Sequence, residues 1–268
     1  MKENPSRTFV TGSRGLVGQA LMRAFPDMQR APSLRDWSED GVKRWLEAAD
    51  AEAVIHTAAI SDVGQCERDP EASLRANVLL PLCLARNCGE RKLVLFSSDQ
   101  VYTGTEREGP YREGDARPAN TYARHKLEME ERVLEACPHA VILRAQWMYD
   151  MPAQRRTYMQ LVLENEGEIR MGRQFRGLTW LRELAEHMPE TLSLPGGVYN
   201  FGSETNLSMD RLTEGLLRFL GRKEAVLPAP PGHNLWMDCG KIRAMGIHFL
   251  PVEEALKRCA MAAGLKKE

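Results

Sequence analysis

Three observations predict an α/β fold with a parallel, doubly wound sheet. Short β-prone runs alternate with amphipathic helical stretches. One of those runs, Ala53-Val54-Ile55-His56-Thr57-Ala58-Ala59, reads as a buried parallel strand that ends in small residues. A glycine-rich turn, Gly12-Ser13-Arg14-Gly15-Leu16-Val17-Gly18, falls directly after a strand and directly before a helix near the start of the chain. Together they describe a Rossmann-type domain, and the later, less regular half of the chain is expected to add a small C-terminal α/β substrate lobe.

In chain order, Arg7-Thr8-Phe9-Val10-Thr11 forms the first strand, and the helix after the glycine turn carries an apolar stripe at Leu16, Val17, Ala20, Leu21, Ala24 and Phe25. Glycines let the backbone approach a pyrophosphate, and free N–H groups at the helix start point towards it. The spacing is G-x-x-G-x-x-G, which makes Gly12, Ser13, Arg14, Gly15, Leu16 and Val17 the candidate cofactor loop. The second strand is expected near Met28 to Ala31. An acidic residue about 20 positions after such a loop commonly takes the ribose 2′-hydroxyl of NAD; here the strand end reads Gln29-Arg30-Ala31. With Arg14 in the loop, Arg30 makes a second arginine near the adenosine ribose, so NADP (NADPH) is preferred to NAD. The alternative is that both are ordinary solvated arginines.

A helix striped by Val42, Trp45, Leu46 and Ala49 precedes the 53–59 run, whose Ala58 and Ala59 leave room for a flat cofactor ring or simply suit helix–sheet packing. Another, striped by Leu74, Val78, Leu82 and Ala85, precedes Lys92-Leu93-Val94-Leu95-Phe96-Ser97-Ser98. Ligands of such sheets bind beyond the carboxyl ends of the strands, where Gly12, Ala58, Ser97 and Ser98 fall. No G-x-S-x-G elbow is present, which argues against a serine hydrolase.

Asn120-Thr121-Tyr122-Ala123-Arg124-His125-Lys126 begins the next helix, before the strand Ala140-Val141-Ile142-Leu143-Arg144. Tyr122 and Lys126, four apart, share one helix face. A free tyrosine has a pKa near ~10, and a nearby cation favours the phenolate and lowers it. The pair is a candidate general acid/base device.

Composition bounds the rest. The 268 residues carry 36 basic and 37 acidic side chains, net −1, and 43% are hydrophobic. That balance offers nothing to nucleic acid or to an anionic membrane surface. No signal peptide and no membrane-spanning stretch is expected. The six cysteines show no C-x-x-C spacing and the six histidines no ligand spacing. Reduced core thiols in a cytoplasmic protein are therefore expected, and no metal site is assigned.

With these pieces in order, the sequence resembles the extended short-chain dehydrogenase/reductases, and within them most closely the dTDP-4-dehydrorhamnose reductases. The matching stretches are Thr11–Gly18, His56-Thr57-Ala58-Ala59, Ser97-Ser98-Asp99-Gln100-Val101-Tyr102, Tyr122-x-x-x-Lys126 and Arg144-Ala145-Gln146-Trp147-Met148-Tyr149. Fainter matches run through Arg173–Thr179 and Gly197-Val198-Tyr199-Asn200. The resemblance implies that Ser98, Tyr122 and Lys126 are catalytic, with Tyr122 as proton donor and Lys126 also holding the nicotinamide ribose. Ser98, Asp99, Gln100, Tyr122 and Trp147 would face the substrate, a keto-sugar expected to be nucleotide-linked; a homodimer is a further expectation. Dehydratases of this kind carry Asp-Glu after the Ser/Thr; here the pair is Asp99-Gln100, and glutamine cannot take a proton, which disfavours a 4,6-dehydratase.

Two departures concern the substrate. The family segment Asp-Gln-x-Gly-x-Pro-Thr reads Arg173-Gln174-Phe175-Arg176-Gly177-Leu178-Thr179, and the Arg-Pro pair near the nucleotide site is replaced within Pro230–Asp238. Trp236 and His233 there either line a pocket or pack. This erosion favours a rival expectation, a non-catalytic, NADP-binding regulatory subunit resembling the methionine adenosyltransferase β subunit; the intact Ser98, Tyr122 and Lys126 favour the reductase. The expected division is residues 1–150 and 179–203 for the cofactor domain, and 151–178 and 204–268 for the lobe. The last helix, striped by Val252, Ala255, Leu256, Cys259 and Ala263, should cover the lobe's core.

Overall fold

A computed structural model describes residues 7–34, 36–151, 157–165, 167–230 and 232–266. Its first half alternates strand and helix: β1 (Thr8–Thr11), α1 (Leu16–Ala24), β2 (Gln29–Arg30), α2 (Glu39–Ala48), β3 (Ala53–His56), α3 (Val63–Arg68), α4 (Pro70–Leu74), α5 (Leu80–Asn87), β4 (Lys92–Ser98), α6 (Thr121–Ala136) and β5 (Val141–Ala145). The remainder comprises β6 (Trp147–Tyr149), α7 (Tyr158–Leu163), β7 (Glu168–Met171), β8 (Leu178–Trp180), α8 (Leu181–Glu186), α9 (Met188–Thr191), β9 (Gly197–Phe201), α10 (Met209–Leu220), β10 (Ala225–Pro228), α11 (Gly240–Arg243) and α12 (Val252–Ala262).

Six parallel strands form the main sheet in the order β2-β1-β3-β4-β5-β9. The chain runs outward from β1 to β2, then returns to place β3 on the other side of β1, so the order reverses between β1 and β3. That reversal opens a crevice beyond the strands' carboxyl ends. Register aligns Thr11 with His56 and Ser98 with Ala145, so β4 extends three residues past the level where β3 stops. The strand ends at His56, and Thr57 to Ala59 are loop.

Successive strand residues point to opposite faces, and both faces are apolar. Val10, Ile55, Val94 and Leu143 pack with Leu21 of α1 and Leu184 of α8. Val54, Leu93, Leu95 and Ile142 pack with Val42 of α2, Leu84 of α5 and Met129 and Val133 of α6. A separate cluster joins α7, α10, α12 and the two short sheets β10-β7 and β6-β8, with Tyr158, Leu216, Leu256 and Trp180 at its centre. The 235–247 segment packs on the main-sheet cluster through Leu235, Met237, Cys239, Ile242 and Ile247.

Between α4 and α5 the helix widens into a π turn over Arg75–Leu79. Pro81 has no N–H and its ring crowds the carbonyl four residues back, at Asn77. The widened turn turns Asn77 fully inward, where its amide accepts from Ile60 N at 3.1 Å and donates to Ile60 O at 2.9 Å, fixing the loop that follows β3.

Candidate active site

Helix α6 is set by its first turn. Asn120 caps it, its Oδ1 accepting from Ala123 N at 2.8 Å. Glu67 of α3 accepts from Thr121 N at 2.6 Å and from Thr121 Oγ1 at 2.8 Å. A carboxylate on the free N–H groups of a helix start is a favourable placement, and the Thr121 backbone bond holds Glu67 below its ordinary pKa.

This start delivers Tyr122 and Lys126 to the end of β4, both buried. The Lys126 ammonium lies 5.9 Å from the Tyr122 ring centre and donates to Phe96 O at 2.9 Å. Ser98, the last residue of β4, caps the following 3-10 turn by accepting from Gln100 N at 3.2 Å, and its hydroxyl donates to Asp99 Oδ1 at 3.1 Å. The same hydroxyl lies close enough to the Tyr122 phenol to favour its phenolate. Burial pushes the phenol's pKa well up, and the Ser98 contact only partly offsets it. The expected lowering by Lys126 is thus overturned: desolvation outweighs any charge effect, and the phenol holds its proton at neutral pH. Burial also lowers Lys126 to about 8, opposed by the Glu130 carboxylate one turn on.

The glycine loop is close-packed. Gly12 has a φ of +66°, and a Cβ there would sit 2.6 Å from Ala58 N. A Cβ on Gly18 would lie 2.4 Å from Gly12 O. Both glycines let the loop fold onto the end of β3, while Gly15 begins α1 with no side-chain cap and no acid in the first turn. Ser13 is buried, and Leu16 and Val17 supply uncapped N–H groups at the helix start. Ala58 and Ala59 lie in the loop beside Gly12. Arg14 and Arg30 are exposed, and neither guanidinium has a partner among the described residues. Within the crevice edge, His56 Nδ1 meets Thr11 Oγ1 at 2.7 Å, yet its buried Nε2 has no partner. Burial, then the Lys126 charge, hold this imidazole down to about 3, so it is neutral. An orphaned polar nitrogen, an uncapped helix start and a closely folded glycine loop fit a dinucleotide's phosphates and ribose.

Around Asp99, the structure brings in a residue that sequence reasoning marked only as a departure. Arg176 reaches back to Asp99, its Nε and Nη2 each 3.2 Å from Oδ2, and its guanidinium carbon lies 5.1 Å from the Trp147 ring centre. Asp99 is buried, and desolvation raises its pKa against the pull of Arg176. Trp147 is half-buried and meets Tyr158 edge-on at 5.9 Å. Gln100 accepts from Asn120 Nδ2 at 3.4 Å, tying the turn after Ser98 to the cap of α6. Trp236 stacks on Phe175 at 4.6 Å, and His233 bonds Tyr102 O at 2.7 Å, so both pack.

Beneath Lys126 lies a buried ion pair that residue spacing did not reveal. Arg144 Nη2 and Nε donate to Glu130 Oε2 and Oε1 at 2.6 and 2.9 Å, and Ser97 Oγ donates to Glu130 Oε1 at 2.5 Å. Arg144 Nη1 continues to Tyr102 Oη at 2.8 Å, and Tyr102 donates to Asn200 Oδ1 at 2.6 Å. The only local hint was Glu130 four residues after Lys126 on one face of α6. The 380 Å³ groove between α10 and α12 contains none of these residues.

The parallel sheet, the glycine-loop crevice and the Ser98, Tyr122 and Lys126 cluster define a Rossmann protein of the extended short-chain dehydrogenase/reductase class. A model of the RmlD substrate binding domain matches residues 6–262, and the chain belongs to that family. It is 34% identical over 152 residues to a dTDP-4-dehydrorhamnose reductase of Mycolicibacterium smegmatis, covering 53% of this chain and 46% of that protein. It is 31% identical over 159 residues to the methionine adenosyltransferase 2 subunit beta of Danio rerio, covering 52% and 46%. In these matches it spans about half the length of its curated relatives. A longer match, 30% identical over 266 residues and 87% and 89% of the two chains, is to a probable dTDP-4,6-dihydroxy-2-methyloxan-3-one 4-ketoreductase of Streptomyces antibioticus. The fold is shared with a dTDP-4-dehydrorhamnose reductase of Bacillus anthracis solved with NADP, at a TM-score of 0.81, 21% identity and coverage of 96% and 99%.

Proposed function

We propose that the protein is an NADP(H)-dependent reductase of a keto-sugar carried on a nucleotide, of the dTDP-4-dehydrorhamnose reductase kind. The observation that carries this reading is the burial of Ser98, Tyr122 and Lys126 together at the carboxyl end of β4, beside the crevice at the β1/β3 reversal. Bound NADPH supplies the hydride. The loop from Gly12 to Val17 would hold its pyrophosphate, Arg14 and Arg30 would pair with its 2′-phosphate, and Ala58 and Ala59 would leave space for its ring. Tyr122, kept protonated by burial, gives its Oη proton to the carbonyl oxygen. The Ser98 hydroxyl steadies the developing oxyanion, and Lys126 holds the ribose and the site's positive charge.

Asp99, Gln100 and Trp147 bound the sugar side. Because Arg176 is engaged by Asp99, it adds no free cation for a diphosphate, and it stands where the resembling family's segment has a glycine. The division into a cofactor domain of residues 1–150 and 179–203 and a lobe of 151–178 and 204–268 is part of the same proposal, as is a homodimer. Six free, buried thiols support a cytoplasmic protein, and no helix among the described residues is long and apolar enough to cross a membrane. The regulatory reading finds less support, since all three catalytic positions are intact and the relative matched over most of both chains is named a ketoreductase.

The test is NADPH oxidation with dTDP-4-keto-sugars, run on wild type and Tyr122→Phe. Wild type should turn over at least one such sugar, and the variant should lose about 10²–10⁴-fold in kcat while still binding NADPH. Equal kcat values would overturn the mechanism, and no turnover of any keto-sugar would overturn the function.

A further inference from the structure

Cys88, Cys137 and His139 form a side-chain cluster that the proposed reaction does not use. Cys88 ends α5, Cys137 ends α6, and His139 lies just before β5. The two sulfurs are 3.3 Å apart, and Cys137 Sγ lies 3.5 Å from His139 Nε2 and 3.8 Å from Nδ1. The three donor atoms all fall within 4.8 Å of one another. Because β4 begins at Lys92 and β5 at Val141, the cluster sits at the amino-terminal edge of the sheet, across the strands from Ser98.

We propose that Cys88, Cys137 and His139 bind one borderline-soft divalent cation, of which Zn²⁺ is the representative, with water in the fourth position. Tetrahedral zinc takes thiolates at ~2.3 Å and imidazole nitrogen at ~2.0 Å, which sets sulfurs about 3.8 Å apart and sulfur and nitrogen about 3.5 Å apart. The separation of Cys137 Sγ from His139 Nε2 already matches, Cys88 lies within 4.8 Å of the imidazole, and the sulfurs need to part by about half an ångström to reach that geometry. Two thiolates and a neutral imidazole give a donor set whose charge balances a divalent ion. Both thiols are buried and His139 is exposed, so the cation has an open approach from solvent and a place for its water. The two sulfurs are already in contact, and either can carry the shared proton that a bound cation would displace. A bare pair of thiols would equally suit a disulfide; the imidazole beside them is what distinguishes a metal site. Such an ion would clip together the ends of α5 and of α6, the helix that carries Tyr122, without touching the reaction.

The experiment titrates Co²⁺, as a spectroscopic stand-in, into the fully reduced, metal-free full-length protein. The expected result is one equivalent bound per chain, with a sulfur-to-cobalt charge-transfer band that Zn²⁺ abolishes by displacement. Cys137→Ser should remove the band. Loss of an outer partner alone typically costs ~10–100-fold in metal affinity, so removing a ligand with His139→Ala should weaken binding at least about tenfold. His139 is exposed, and its variant should keep the wild-type circular dichroism, which separates lost ligation from lost folding. Absence of a charge-transfer band, a band indifferent to both substitutions, or a Cys88–Cys137 disulfide that forms in air even with Zn²⁺ present would overturn the proposal.

Discussion

At Tyr122 two effects oppose each other on one phenol. Burial penalises the phenolate, and the Ser98 hydroxyl favours it; burial wins, so the group is an acid that keeps its proton until a carbonyl oxygen arrives. Arg14 poses the matching question for the cofactor. Its guanidinium is exposed and free among the described residues, and Arg suits phosphate geometry better than Lys. A hydrogen bond to a charged group is worth roughly 1.5–3 kcal/mol, or about tenfold to a hundredfold in affinity. Calorimetry at fixed salt should show that preference for NADPH over NADH, and Arg14→Ala should reduce it by its lower end, since Arg30 supplies part. Equal wild-type affinities would remove the NADP assignment.

At the scale of one helix, α6 carries its chemistry in successive turns. Asn120 and Glu67 fix the start, Tyr122 and Lys126 face the crevice, and Glu130 meets Arg144 below them. Lys126 titrates at about 8 because burial outweighs the attraction of Glu130. If the ammonium is the working form, kcat/KM must fall as pH rises through about 8. Glu130→Gln removes the charge that favours the ammonium, so this alkaline limb should move to lower pH. The variant also leaves Arg144 without its counter-charge in the interior, where breaking a buried pair costs about 3–5 kcal/mol, so its melting temperature should drop. A drop in stability with the limb unmoved would make Glu130 structural and nothing more.

For the whole molecule, the neutral, buried His56 ties stability to pH. Its folded pKa lies near 3 against 6.5 for the free imidazole, so between those values the unfolded chain binds a proton that the folded chain does not. Stability from this group is therefore full above pH 6.5 and falls as the pH drops towards 3. Carboxylates titrate in the same range, and the buried Asp99, whose pKa is raised, acts with the opposite sign. Comparison with His56→Asn isolates the histidine: denaturant unfolding between pH 7 and pH 4 should show wild type losing more stability than the variant. Parallel pH slopes would show that the imidazole is not held neutral by the fold.

The sequence by itself determined the parallel α/β architecture, the glycine loop and the Tyr122–Lys126 pair. These depend on strand and helix periods and on spacings within a few residues, which are written locally. Nearby boundaries shifted only slightly: the run read as Ala53 to Ala59 stops pairing at His56, where Gly12 packs on Ala58 and its backbone leaves the sheet. The tertiary structure alone decided the rest. Arg176 meets Asp99 across 77 residues of chain, Cys88 meets Cys137 across 49, and Arg144 closes on Glu130 from a different element. It also decided the sign of the Tyr122 shift, which spacing predicted the wrong way. Helical spacing places a cation near a phenol, but desolvation depends on everything packed around them, and only the folded chain sets that.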